Sequence, residues 1–247
     1  MTTVVGTDRA RAAPLGRNLT YGMLDSLGRA IVTGRYRHTP FPTEAEIARA
    51  HGVSRSVTRE AVKMLTAKGL VSARPRQGTV VQPSASWNLF DTDVLRWLLE
   101  RPFSIDLLRQ FTQLRIAIEP EAAALAARHA EPAALRAIEG RLAGMREAEA
   151  GRGDALDADI AFHVAVLEAS GNPFYAQFRD VVATALAKSI RFTNRIKGHS
   201  ASIPEHQAVT DAIVARDPDR ARAAMHGLIG NVLQLIEGAE PDGAGAL

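Results

Sequence analysis

The stretch from Thr43 to Val81 restricts this chain more than any other part of it. Two short helical patterns stand back to back, divided by Gly52-Val53, and each opens on a capping residue. Thr43-Glu44-Ala45-Glu46 has the form of a capping box, in which the hydroxyl satisfies the third helical N–H and Glu46 reaches back to the N-cap amide. Ser54 is the second cap. The first helix ends near His51-Gly52 and the second at Gly69. Leu70-Val71-Ser72-Ala73 and Thr79-Val80-Val81 then read as two short strands around the basic turn Arg74-Pro75-Arg76-Gln77-Gly78. An earlier helix, about Thr20 to Gly34, aligns Met23, Leu24, Leu27, Ile31 and Val32. Tyr36 to Pro42 holds two prolines and reads as a turn or short strand. Three helices followed by a two-stranded ribbon describe a winged helix-turn-helix.

The helix from Ser54 carries the chemistry. At 100° per residue, Val57, Ala61, Met64 and Leu65 gather on one side, and Arg55, Ser56, Thr58, Arg59 and Lys63 on the other. A helix so placed enters the DNA major groove N-terminus first. Arginine donates a bidentate pair to guanine or to a phosphate, and serine and threonine bond phosphates or base edges. In the basic turn, Arg76 and Gln77 can reach the minor groove or phosphates, and Gly78 allows close backbone approach. The expected DNA-binding set is therefore Arg55, Ser56, Thr58, Arg59, Arg76, Gln77 and Gly78. Charge agrees with it: residues 1–86 hold 13 Lys/Arg and 5 Asp/Glu, a net of +8, while residues 87–247 hold 17 and 22, a net of −5. A basic end on an acidic remainder points to a polyanion as partner.

Beyond a polar linker at 83–91, nearly everything reads as helix: 92–101, 105–129, 133–150, 157–170, 174–197, 204–215 and 218–237. The expected fold is mainly α, with a winged helix-turn-helix at 19–82 and an antiparallel all-helical bundle at 92–237 for effector binding and dimerisation. Residues 1–18 read as a mobile arm and 238–247 as a frayed glycine-rich tail. The absence of cysteine excludes a disulfide scaffold, a thiolate zinc site and a cysteine nucleophile. No apolar run reaches about 18 residues, and the N-terminus lacks the apolar core of a secretory signal. A cytoplasmic protein is expected.

The helical half aims unusual residues inward. Asp159 and His163 are four apart on one helix and sit amid Ile160, Phe162, Val166 and Leu167. His206, behind a second apparent capping box at Ser202–Glu205, shares a face with Val209, Thr210 and Ile213. Arg115 lies with Leu108, Phe111, Ile118 and Ala122. A divalent metal, such as zinc, nickel or manganese, would account for the acid and the imidazoles. Arg115 would then meet a carboxylate effector, whose geometry its planar fork fits. A plain Asp–His hydrogen bond beside a satisfied core histidine meets the same need for buried polar partners.

The residues Phe41-Pro42-Thr43-Glu44-Ala45-Glu46-Ile47-Ala48, Gly52-Val53-Ser54-Arg55-Ser56-Val57-Thr58-Arg59-Glu60-Ala61, Gly69-Leu70-Val71 and Gly78-Thr79-Val80-Val81 resemble the winged helix-turn-helix of the GntR family of bacterial regulators. The resemblance implies DNA contacts at Arg55, Ser56, Thr58, Arg59 and the wing tip Gln77-Gly78. Ala45 departs from it, standing where many members have a DNA-contacting arginine. Arg37-His38-Thr39-Pro40 replaces the usual Pro-Gly before the second helix.

The helical half is similar to the FCD effector domain of the FadR subfamily. The similarity rests on Arg115 with Glu119, on Asp159-Ile160-Ala161-Phe162-His163, on Ser170-Gly171-Asn172 and on Glu205-His206. It implies a metal held by Asp159, His163 and His206. Leu228 stands where a further histidine is expected, with His226 nearby as an uncertain substitute. The joining segment, Trp87-Asn88-Leu89-Phe90-Asp91-Thr92-Asp93-Val94-Leu95-Arg96-Trp97, is similar to that of galactonate-responsive regulators of sugar-acid catabolism.

The expectation is thus a homodimeric regulator, a repressor reading palindromic operator DNA and answering to a sugar acid. Two other readings remain: a metal-dependent enzyme using Glu119 as its spare acid on a small carboxylate, and a DNA-binding dimer without an effector.

Overall fold

The computed structural model describes residues 15–100, 105–197 and 202–238. The chain divides into two compact units, 1–98 and 99–247.

In the N-terminal unit, helix α1 (Leu15–Val32) precedes α2 (Glu44–His51), α3 (Arg55–Ala67) and an antiparallel ribbon of β1 (Val71–Arg74) and β2 (Gly78–Val81). The ribbon pairs Val71 with Val81 and Arg74 with Gly78. Helix α1 starts at Leu15, so the end of the expected arm is helical, and the rest of that arm lies outside the described residues. Met23, Leu24, Leu27, Ile31 and Val32 are buried as their spacing predicts, and α1 packs on α3.

The segment after the ribbon is not a free linker. The amides of Gln82 and Asn88 donate to the carbonyls of Leu70 (2.9 Å) and Lys68 (3.0 Å), and the Trp87 indole donates to the Gln82 carbonyl (3.0 Å). Helix α4 (Thr92–Leu99) belongs here too, almost to its last residue, which moves the boundary from the expected 92 to 98/99. The reason is Trp97, fully buried, whose indole donates to Asp25 of α1 at 2.8 Å. Its ring lies where any side chain on Gly28 would fall, a Cβ there coming within 2.3 Å of it. At Gly69 (φ 76) a Cβ would lie 2.2 Å from the Ser86 carbonyl oxygen, so the chain can cross there only over glycine.

An ion network closes this junction. Lys68, at the C-terminal end of α3, reaches Asp91 (2.7 and 2.8 Å) and Asp93 (2.9 Å). Arg96 joins Asp93 (3.0 Å) to Asp25 (2.9 Å), and Arg29 also holds Asp25 (2.9 Å).

The C-terminal unit contains α5 (Ile105–His129), α6 (Pro132–Glu149), α7 (Ala155–Ala169), α8 (Pro173–Gln177), α9 (Arg179–Lys197), α10 (Ile203–Val214) and α11 (Pro218–Glu237). The pattern over 174–197 predicts one helix, whereas the structure breaks it at Phe178, whose amide turns back to the Tyr175 carbonyl. No proline or glycine marks that break. Buried Ala122, Ala123, Ala126 and Ala127 give α5 a smooth face, and α11 packs closely on α5. Phe162, Val166, Val209, Ile213, Met225, Leu228 and Ile229 fill the core beside them. Asp217 caps α11 by accepting the Arg220 amide at 3.0 Å. Ser202 forms no such cap, and Glu205 instead accepts from Asn231, so the second expected capping box is absent. Among the described residues, no helix is long and apolar enough to cross a membrane. The expected tail lies outside the described residues beyond Gly238.

Candidate functional site

Helices α2 and α3 are each launched by a cap. Thr43 and Glu46 form the reciprocal box that starts α2, with bonds of 2.8 and 3.3 Å, and the Ser54 hydroxyl accepts the Val57 amide at 3.3 Å. Between them the chain turns so that the first residues of α3 stand free of the core. Arg55, Ser56, Arg59 and Lys63 are exposed together. Arg59 lies 3.6 Å from Glu44, an exposed pair that costs little to break when a phosphate or base competes.

Thr58 is the exception among the expected contacts. It is fully buried, its hydroxyl donating to the Ser54 carbonyl at 3.2 Å. The expectation sets it with the outward residues, yet Thr58, Ala61, Val62 and Leu65 fall at i, i+3, i+4 and i+7, which is the buried stripe of α3. Thr58 therefore serves packing and cannot reach DNA from this position.

The turn joining β1 to β2 is exposed throughout. The Arg74 carbonyl accepts the Gln77 amide at 3.2 Å, with Pro75 second and Arg76 third in the turn. Arg76 holds φ 63, a conformation that this turn position ordinarily assigns to glycine. The backbone thus tolerates strain to keep a guanidinium at the wing tip.

The second constellation is buried. Asp159 and His163 from α7, His206 from α10, and Arg115 and Glu119 from α5 come together, all 6 % exposed or less. His206 Nε2 lies 3.1 Å and His163 Nε2 3.4 Å from the same oxygen of Asp159. Each imidazole uses its other nitrogen elsewhere: His206 Nδ1 donates to the Ser202 carbonyl (2.8 Å), and His163 Nδ1 donates to Glu119 (2.6 Å). Glu119 in turn accepts from Arg115 at 2.5 and 3.3 Å. Phe162 stands edge-on to both imidazoles, holding the rings in place.

Electrostatics follow from this packing. Burial alone would raise the Glu119 carboxyl, but the Arg115 guanidinium and His163 overcome it and hold it at about 2. Asp159 is likewise driven below the usual carboxylate range, its burial outweighed by bonds from His163 and His206. For His163 burial works against the charged form, and the Glu119 carboxylate wins, raising it.

This geometry suits a cation. With both Nδ1 atoms bonded to other acceptors, each Nε2 is the nitrogen that faces the Asp159 carboxylate. A divalent cation can stand between them in place of the imidazole protons. The ligand atoms of Asp159, His163 and His206 lie within 4.8 Å of one another. A carboxylate or carbonyl on the far nitrogen is the usual support of a metal-bound histidine. His226, the uncertain further ligand, is exposed and outside the cluster, and Leu228 is core. Arg115 donates to Glu119 through Nε and Nη2, and its Nη2 sits 3.2–3.3 Å from the His163 ring. The sequence reading treats Glu119 as a spare acid. Its i+4 spacing from Arg115 was the available signal for the pair. Nothing in the sequence marks the Ser202 carbonyl.

Comparison with known proteins settles what frame holds these two sites. The family model of bacterial regulatory proteins of the gntR type matches residues 22–81, and the FCD domain model matches residues 110–231. The galactonate operon transcriptional repressor of Escherichia coli K12 is 34% identical over 84% of this chain and 92% of its own length. This chain belongs to the GntR family.

A second Escherichia coli relative, the uncharacterized HTH-type transcriptional regulator YieP, is also 34% identical, over 86% of this chain and 93% of its own. The solved structure of Lar, which controls the Listeria monocytogenes agr system, matches 94% of this chain and all of that chain with a TM-score of 0.51 at 17% identity, which speaks for the fold. The GntR match runs from within α1 to β2, and the FCD match runs from α5 into α11. The protein is a DNA-binding transcriptional regulator, and the enzyme alternative gives way because its relatives are regulators.

Proposed function

We propose that this GntR protein is a homodimeric repressor that reads a palindromic operator with Arg55, Ser56, Arg59, Arg76, Gln77 and Gly78. It is released by an anionic metabolite of the sugar-acid class bound over a divalent metal at Asp159, His163 and His206. It works in the cytoplasm, where the chromosome is. The observation that carries this reading is the convergence of two imidazole Nε2 atoms on one buried carboxylate, each histidine backed by an acceptor on its other nitrogen.

Charge supports the anion. Imidazoles that ligate a metal are neutral, so with a divalent ion bound the charges of Arg115, Glu119, Asp159 and the ion sum to +1. A buried net charge is costly unless paired, and a carboxylate ligand restores neutrality. The 34% identity to the galactonate operon repressor favours a sugar acid as its source. Effector control further requires that the ligand bind the DNA-competent and incompetent arrangements with different affinity.

The test is a gel shift on the gene's own upstream DNA, titrated with sugar acids in the presence of zinc, nickel or manganese. Release by one acid, lost in Asp159→Ala with operator affinity intact, is the expected result. Specific binding that no acid or metal alters would remove the sensor and leave an effector-independent DNA-binding dimer.

A further inference from the structure

We propose that Glu119 is the positioning residue of the metal site, with Arg115 as its anchor rather than as the effector's counter-ion. This rests on the metal reading above and goes beyond it by assigning the residues that prepare His163. The chain of contacts is continuous. Arg115 Nε and Nη2 donate to the two oxygens of Glu119, and Oε2 of Glu119 accepts from His163 Nδ1 at 2.6 Å, which leaves Nε2 as the lone-pair nitrogen beside Asp159.

Two features make this more than a core ion pair. First, Arg115 and Glu119 are one turn apart on α5, so their pairing needs no other helix, yet the second Glu119 oxygen is spent across to α7. Second, the two histidines are supported differently. The neutral carbonyl of Ser202 holds His206, whereas a full carboxylate holds His163. A charged acceptor on Nδ1 makes the opposite nitrogen a stronger donor to a metal. Arg115 fixes the orientation of the Glu119 carboxylate by donating to both of its oxygens. The assignment makes His163 the stronger of the two imidazole ligands and gives the buried Arg115–Glu119 pair a purpose beyond stability.

The experiment measures zinc affinity of the full-length protein by competition with a chromophoric chelator, and thermal midpoints with and without zinc. Asp159→Ala is compared with wild type first. Zinc bound equally by both, or by neither, places no metal at this cluster and overturns the metal reading together with this one. With zinc bound by wild type and lost in Asp159→Ala, Glu119→Ala is expected to weaken binding roughly 10- to 100-fold. Glu119→Gln, whose amide oxygen still accepts the Nδ1 proton, is expected to lose roughly tenfold, at the lower end of that range.

A purely structural Glu119 would lower the metal-free midpoint and leave the zinc-induced rise unchanged, whereas a positioning role shrinks that rise. Nitrogen NMR of the zinc-loaded protein supplies the signature: His163 is held as the Nδ1–H tautomer in wild type and loses that single form in Glu119→Ala. Folded Glu119 variants that bind zinc as wild type does would overturn the assignment while the metal reading stands. Should Glu119→Ala fail to fold, the Glu119→Gln affinity decides alone.

Discussion

Two polar networks among the described residues, one around Lys68 and one around Asp159, differ in what completes them. Around Lys68, three cations (Lys68, Arg96, Arg29) meet three carboxylates (Asp91, Asp93, Asp25) at the junction of α1, α3 and α4. Its charges balance, and most of its members keep a third or so of their surface in water. Around Asp159, one cation and two carboxylates share a dry interior with two imidazoles, so its balance turns on a proton or an ion held there. A balanced, half-wet network fastens chain segments together. A dry one whose balance needs a proton or an ion is a place for something to arrive. The first makes the segment after the wing part of the DNA-reading unit, and the second is the site proposed above for the metal.

The sharpest way to break this contrast is to remove one cation from each network. Arg115→Met strands Glu119 in the core, and a buried pair broken from one side costs about 3–5 kcal/mol. Lys68→Met leaves Asp91 and Asp93 able to hydrate and is expected to cost about 1 kcal/mol, in line with exposed pairs. Urea unfolding of both variants checks this, and equal losses would mean that the Lys68 network holds its unit as strongly as the buried one does.

A second cut tests the N-terminal junction by shape instead of charge. Gly28→Ala drives a methyl group into the Trp97 ring, so overpacking should cost about 1–3 kcal/mol. Both tryptophans of the chain, Trp87 and Trp97, lie in this unit, so fluorescence reports the loss directly.

The exposed DNA face should behave unlike either network. Arg59→Ala is expected to lower operator affinity by about 1–3 kcal/mol with no change in urea midpoint, because its ion pair to Glu44 is an exposed one. Arg76→Gly should separate stability from binding. Glycine relieves the left-handed backbone at the wing tip by about 1 kcal/mol, while loss of one phosphate contact lowers the salt slope of binding by about 1. A variant that neither gains stability nor loses affinity would remove Arg76 from the contact set.

The smallest effect concerns acid. Burial alone would raise Asp25, but bonds from Trp97, Arg29 and Arg96 hold it at about 2, below its ordinary 3.8. A depressed carboxyl stabilises the fold above its unfolded value and loses that contribution as pH falls through the folded one. Trp97 emission should therefore be flat near neutrality and change between about pH 4 and pH 2. A change centred above pH 5 would point to another group.

Much of this is legible in the sequence because it depends on local chemistry. Thr43, Ser54 and Asp217 cap helices through bonds to residues within three positions, and the apolar spacing of α1 names its buried face without reference to any partner. Asp159, His163 and His206 stand out because polar residues on apolar faces need partners. Thr58 is misplaced by its residue type, since a hydroxyl suggests a polar contact, whereas its spacing from Ala61, Val62 and Leu65 already marks the buried stripe. The Ser202–Glu205 box fails for a related reason. The serine's carbonyl and the glutamate's carboxylate find partners in His206 and Asn231 that the capping pattern does not contain.

Periodicity, caps and charge act over one or two turns, so the winged reader, the helical second half and the three candidate ligands follow from residue order alone. Packing is what groups α4 with the reader, pairs Arg115 with Glu119, and leaves His226 outside the cluster. Those outcomes turn on contacts between distant residues, such as Trp97 with Asp25 and His163 with Glu119, which form only once the helices have packed.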